Sequence, residues 1–94
     1  STEPQLSQAL EFLRGGLVHG KLESSDNRFR KALDAGSSDQ GIVTELYWMA
    51  YSRPPSQEEL TVAIQHIAQA ADRPTALADV CWAIFNTNEF MFQN

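Results

Sequence analysis

Two histidines, one cysteine and twelve carboxylates are the side chains with which this sequence could do metal or nucleophile chemistry. His19 and His66 lie far apart, and neither has a second histidine or a carboxylate at a helical spacing that would close on a metal ion. Cys81 is the single cysteine, which excludes a disulfide within the chain and a multi-cysteine metal site. Its apolar surroundings favour a buried, inert thiol. The residue pattern therefore predicts neither a metal site nor a cysteine nucleophile.

Catalytic and phosphate-binding motifs are equally hard to assign. Serine, histidine and aspartate all occur, but no nucleophile turn with an oriented base can be recognised. Gly15, Gly16 and Gly20 follow no predicted strand and lack the lysine and hydroxyl of a phosphate loop, so they favour a break between helices. Glu58 and Glu59 are explained as favourable charges in the first turn of a helix. We therefore expect no catalytic residue, no bound cofactor and no enzymatic activity.

The charge of the chain argues against nucleic acid as a partner. Its formal net charge is -5 and its pI is near 4.8, whereas binding to a phosphate backbone requires a concentrated positive surface. No apolar stretch is long enough to span a bilayer, so we also expect no membrane insertion.

Two nearly continuous apolar segments organise the chain. Residues 42–51 are polar only at Thr44 and Glu45, and residues 76–85 are polar only at Asp79, so each predicts a helix buried on more than one side. One-sided helical patterns begin at Pro4, near Phe29 and after the proline pair Pro54-Pro55, and no β-alternation is present. Residues 1–94 are thus predicted to form a single all-α domain, a small bundle of about five helices with the two apolar helices packed at its centre.

Four smaller expectations complete this description. Residues 17–24 are predicted to form a short, kinked helical piece, and Gly36 to take a left-handed helix cap. His66 is predicted on the solvent-exposed face of its helix. Thr87 or Asn88 is predicted to cap a separate final turn.

The turn after the central helix carries the strongest local signature. Pro54 and Pro55 cannot continue a helix, so the central helix is predicted to end near Ser52. Ser56 and Glu59 are spaced as a capping box, in which each side chain accepts a hydrogen bond from the backbone N–H of the other residue. A new helix is therefore predicted to begin at this point.

Three side chains near this turn are candidates for an interaction patch: Trp48, Tyr51 and Arg53. The aromatic rings either complete a small core or remain on the surface for docking. Arg53 is interpreted as a structural clamp, either on the carbonyls that end the central helix or paired with Glu89. Binding of an external carboxylate or phosphate by Arg53 is the alternative.

Three segments resemble a known family: Glu45-Leu46-Tyr47, then Ser-Arg-Pro-Pro-Ser at 52–56 with Glu-Glu-Leu at 58–60, and Ala-Asp-Val-Cys-Trp-Ala-Ile-Phe-Asn-Thr-Asn-Glu-Phe at 78–90. They are similar to the C-terminal part of a planctomycete-specific domain of unknown function, which accompanies cytochrome c modules in large secreted or envelope proteins. The resemblance implies a C-terminal position in a larger extracytoplasmic parent protein. It does not imply bound haem here, because the Cys-x-x-Cys-His attachment sequence is missing. A looser similarity to a repeated helical domain of bacterial surface proteins implies scaffolding.

These observations together predict a non-catalytic structural or protein-interaction module. Its expected partner is the remainder of its own parent protein or another protein. A small-ligand or glycan-binding module that uses Trp48, Tyr51 and Arg53 is the alternative.

Overall fold

Helices make up nearly all of the chain that the structure describes. The computed structural model describes residues 3–14, 27–36 and 38–93, with side chains described within 4–13, 27–36 and 38–86. The helices are α1 (Glu3–Arg14), α2 (Asn27–Ala35), α3 (Asp39–Tyr51), α4 (Gln57–Gln69) and α5 (Arg73–Gln93). No strand occurs in these ranges, which confirms the predicted small all-α bundle. The helical piece predicted at 17–24 lies outside the described residues.

The core lies where α3 and α5 meet. These two helices pack against each other as predicted; α2 and α4 also contact α3, and α1 rests on α4 and α5. All five helices contribute apolar side chains to one buried cluster. Its members are Leu6, Leu10, Leu13, Ala32, Ile42, Val43, Leu46, Tyr47, Ala63, Ile67, Ala76, Leu77, Val80, Cys81, Ala83 and Ile84.

The last helix is longer than predicted. It runs from Arg73 to Gln93 without a break, so the separate final turn capped by Thr87 or Asn88 was wrong. Its one proline, Pro74, lies in the first turn, and no glycine occurs in it, so no helix-breaking residue interrupts the segment. The side-chain amide of Asn86 donates to the carbonyl of Trp82 at 2.8 Å, one turn back along the helix. Neither α5 nor another helix in the described part of the chain combines the length and apolarity needed to cross a membrane.

Gly36 is required for close packing and not for a left-handed turn, which corrects the prediction. Its N–H donates to the carbonyl of Ala32 at 2.9 Å and so ends α2. Its φ lies outside the left-handed region, but a Cβ at this position would lie 2.5 Å from the backbone N of Ile42. The described residue with positive φ is instead Ser52, the C-cap of α3, at φ 58° and ψ 34°. At Gly36 the backbone lies so close to the first turn of α3 that only glycine, which has no Cβ, fits there.

The start of α3 is fixed from two directions. The hydroxyl of Ser38 accepts the N–H of Gly41 at 3.1 Å and caps the helix. The guanidinium of Arg73, the first residue of α5, donates from Nε to Oδ1 of Asp39 at 3.0 Å. The N-terminal ends of α3 and α5 are therefore tied together by an ion pair.

Candidate functional site

A bidentate ion pair joins the end of α3 to the start of α4. Nη1 and Nη2 of Arg53 donate to the two carboxylate oxygens of Glu59 at 2.9 and 3.0 Å. Oε1 of Glu59 also accepts the N–H of Ser56 at 2.7 Å, and the Ser56 hydroxyl accepts the N–H of Glu59 at 3.1 Å. The predicted capping box is therefore present, but its carboxylate is fully buried and also binds a cation. Glu58 and Glu59 both lie in the first turn of α4, as predicted, and Glu59 has the additional role of pairing with Arg53.

Two tyrosine rings lie beneath this arginine. The rings of Tyr47 and Tyr51 stack with their centroids 5.4 Å apart, and Cζ of Arg53 lies 5.5 and 5.1 Å from the two centroids. The hydrogen bond with Glu59 raises the pKa of Arg53, against a smaller lowering by burial. Nη1 also donates to the carbonyl of Pro54 at 2.9 Å. Arg53 thus bridges two helices and the proline turn between them.

The Arg53 contacts differ in detail from those expected. Among the described side chains, the carboxylate that pairs with Arg53 belongs to Glu59. The predicted pairing with Glu89 falls on a side chain outside the described residues. The carbonyl that it binds belongs to Pro54 in the turn. The C-terminal end of α3 is closed by the backbone and not by Arg53. The N–H of Ser52, the residue after the helix, donates to the carbonyl of Trp48 at 3.1 Å.

Trp48 is the one member of the predicted patch that is largely exposed. Half of its surface remains accessible, whereas Tyr51 is half-buried and donates its hydroxyl proton to the carbonyl of Ile84 at 3.4 Å. Trp48 lies opposite the buried residues of α3, on a face that also carries Thr44 and Glu45. The structure therefore separates the patch into an outward tryptophan and a tyrosine–arginine pair engaged in internal contacts.

A buried histidine forms a further polar contact between helices. His66 is only 5% exposed, so its prediction on the solvent face of α4 was wrong. Its Nε2 lies 3.3 Å from Oδ2 of Asp79 on α5. Sequence spacing missed the pair because its members lie thirteen positions apart on different helices. The sequence feature that could have indicated a buried polar contact is Asp79, the one polar residue within the apolar stretch 76–85.

His66 also lines a groove of about 180 Å³ between α1 and α4. Ser7 and Glu11 face it from α1, and Gln65 and Gln69 face it from the last turns of α4. Within the part of the chain that the structure describes, no three His, Cys, Asp or Glu side chains are grouped so as to hold a metal ion. The groove therefore offers hydrogen bonds and one carboxylate as its means of recognition.

No family model matches the chain, and the comparisons with curated proteins and with solved structures give no match either.

Proposed function

We propose that this chain is a non-catalytic structural or protein-interaction module that docks through Trp48. By its resemblance to the planctomycete-specific domain, we further propose that it ends a large extracytoplasmic, cytochrome-associated protein. The remainder of that protein is then its first partner. The observation that carries the docking role is a tryptophan with half of its surface exposed on the outward face of α3.

The energetic case for docking rests on the size of the exposed ring. A tryptophan contributes roughly 200–250 Å² of surface, so covering its exposed half is worth roughly 3 kcal/mol at about 25 cal/mol per Å². Tryptophan is also among the residues that most often dominate binding energy at interfaces. A single ring of this kind is an effective anchor for a partner surface.

The rigidity of α3 supports the same role. Ser38 caps the start of the helix, Arg73 pairs with Asp39 there, and the bridge between Arg53 and Glu59 secures the end. A ring held on a fixed helix loses little conformational entropy when a partner covers it. The module therefore presents Trp48 in a preorganised position.

Calorimetric titration with the remainder of the parent protein, expressed separately, tests this proposal. Trp48→Ala should weaken binding at least about tenfold, since interface tryptophans commonly contribute 1.4 kcal/mol or more. Leu33→Ala is the matched control, because Leu33 is also exposed but lies on α2. Equal affinity of both variants and the wild type, or no binding at all, would contradict docking through Trp48.

Fluorescence distinguishes docking from the small-ligand or glycan alternative at Trp48, Tyr51 and Arg53. In a Trp82→Phe background Trp48 is the single tryptophan, and its emission should shift to shorter wavelength when the protein partner covers it. The contacts give the alternative less support, because Nη1 and Nη2 of Arg53 both donate to Glu59. A saturable response to saccharides or organic acids, without one to the protein partner, would favour the alternative.

A further inference from the structure

The outward face of α3 carries a carboxylate next to the exposed tryptophan. Glu45 precedes Trp48 by three positions, a spacing at which the Cβ atoms of a helix lie about 5–6 Å apart. Half of the Trp48 surface is accessible, and Glu45 is partly exposed. The buried residues of α3 lie on the opposite face of the helix. An aromatic ring and a carboxylate are therefore presented together at the surface of the protein.

The internal contacts of the protein leave both side chains available. Within the described residues, the Glu45 carboxylate takes part in no ion pair or hydrogen bond, and the Trp48 indole makes no hydrogen bond or ring contact. Tyr51, the next aromatic residue of α3, is engaged instead. Its ring stacks on Tyr47, and its hydroxyl donates to the carbonyl of Ile84. An external group can therefore meet Trp48 and Glu45 without displacing an internal contact.

The protein itself shows which group fits a ring and a carboxylate together. Cζ of Arg53 lies 5.1 Å from the centroid of the Tyr51 ring, and Glu59 accepts both guanidinium hydrogen bonds. A guanidinium suits both contacts, because its planar face is attracted to the ring and its N–H groups match a carboxylate. Tryptophan gives the strongest attraction of this kind among the aromatic side chains.

The charge of this face also favours a cation. Helix α3 contains no lysine or arginine, and its other carboxylate, Asp39, pairs with Arg73. Glu45 is therefore a negative charge with no cation on its own helix. The net charge of -5 adds a long-range attraction for a positively charged partner and repels an acidic one.

We propose that the polypeptide docked at Trp48 presents an arginine side chain, whose guanidinium stacks on the indole and pairs with the carboxylate of Glu45. This inference rests on the docking role proposed above and adds the chemistry that the partner must carry. Arginine fits better than lysine, because the ammonium group of lysine has no planar face to stack and no paired N–H groups for a carboxylate.

The test is a titration of the whole chain with the capped tripeptide acetyl-Gly-Arg-Gly-amide, followed by NMR of the Trp48 indole N–H and the Glu45 backbone amide. Both signals should shift saturably. The same peptide with citrulline, which has the shape of arginine without its charge, should bind at least about twofold more weakly, the lower bound for an exposed contact between a cation and a ring. Equal affinity for the two peptides, or no saturable shift with the arginine peptide, would overturn the proposal.

Three variants locate the binding. Glu45→Gln should raise the dissociation constant of the arginine peptide roughly two- to fivefold, as expected for an exposed charge pair. Trp48→Leu keeps an apolar side chain without the ring and should raise it at least about twofold, measured at the Glu45 amide. Asp34→Asn, the matched control, removes a negative charge from an exposed position on α2 and should leave the constant unchanged. Equal weakening by Glu45→Gln and Asp34→Asn would show attraction by overall charge and would overturn a site on α3.

All three variants should fold, because each position is partly or fully exposed, and circular dichroism checks this. Failure of this inference is distinguishable from failure of the docking role. If Trp48→Ala weakens binding of the remainder of the parent protein but Glu45→Gln does not, and the two peptides bind equally, docking stands and the arginine is overturned. If both variants weaken that binding and the arginine peptide binds more tightly, both proposals are supported.

Discussion

Replacing Arg53 with methionine removes the cation from a carboxylate that is fully buried. Glu59 would keep the N–H of Ser56 but lose both guanidinium hydrogen bonds. Removing one partner of a buried ion pair usually costs about 3–5 kcal/mol. Because the Arg53 side chain is 38% exposed, water can reach the vacated space, and we expect about 2–3 kcal/mol. For a domain of this size, that lowers the melting temperature by roughly 10–20 °C.

Substitution of Glu59 should lower the free energy of unfolding less than substitution of Arg53. In Glu59→Gln the amide oxygen can still accept the N–H of Ser56, and Arg53 remains partly solvated above the two tyrosine rings. We therefore expect a loss of only about 1–1.5 kcal/mol. The double variant leaves no buried charge at this position and should be more stable than Arg53→Met alone.

Urea unfolding of the four proteins, followed by circular dichroism, gives the coupling free energy of the pair. The raised pKa of Arg53 also determines how its contribution to stability depends on pH. A group whose pKa is higher in the folded state gives its full stabilisation below the unfolded-state pKa and loses it only as the pH rises through the folded-state value. The Arg53 contribution should therefore be the same at about pH 7 and about pH 10. A loss below about 1 kcal/mol for Arg53→Met, or a double variant less stable than that variant, would refute the reasoning.

Four further substitutions test the packing by the same unfolding measurement. Gly36→Ala should cost about 1–3 kcal/mol, because its Cβ would meet the backbone N of Ile42 at 2.5 Å, and a cost near zero would show that α2 can move away. Ser52→Gly should stabilise by up to about 1 kcal/mol, since φ is 58° there; a clear loss would mean that the serine side chain contributes a contact. Leu46→Ala, at a fully buried position, should cost about 2–5 kcal/mol. Trp82→Ala should cost less than the usual 3–5 kcal/mol for a buried tryptophan because Trp82 is only half-buried, and a larger loss than for Leu46→Ala would contradict this ranking.

Local sequence was sufficient at the turn between α3 and α4, where the interacting groups are near neighbours in the chain. Ser56 and Glu59 are three positions apart, so their capping box follows from helix geometry alone. Pro54 and Pro55 end a helix through their own covalent structure. The apolar stretches 42–51 and 76–85 likewise marked the two helices that pack at the centre.

The sequence by itself determined the helices, the proline turn and the two central segments, because these depend on periodicity, propensity and contacts between near neighbours. Tertiary structure decided which polar side chains were buried and what they bind. Packing of α4 on α5 brought Asp79 to His66, and the α3–α4 turn brought Arg53 to Glu59. It also made Gly36 necessary, because the close approach of Ile42 arises only when α3 folds back over the end of α2. Such contacts depend on where whole helices lie relative to one another, which no local spacing within a single helix specifies.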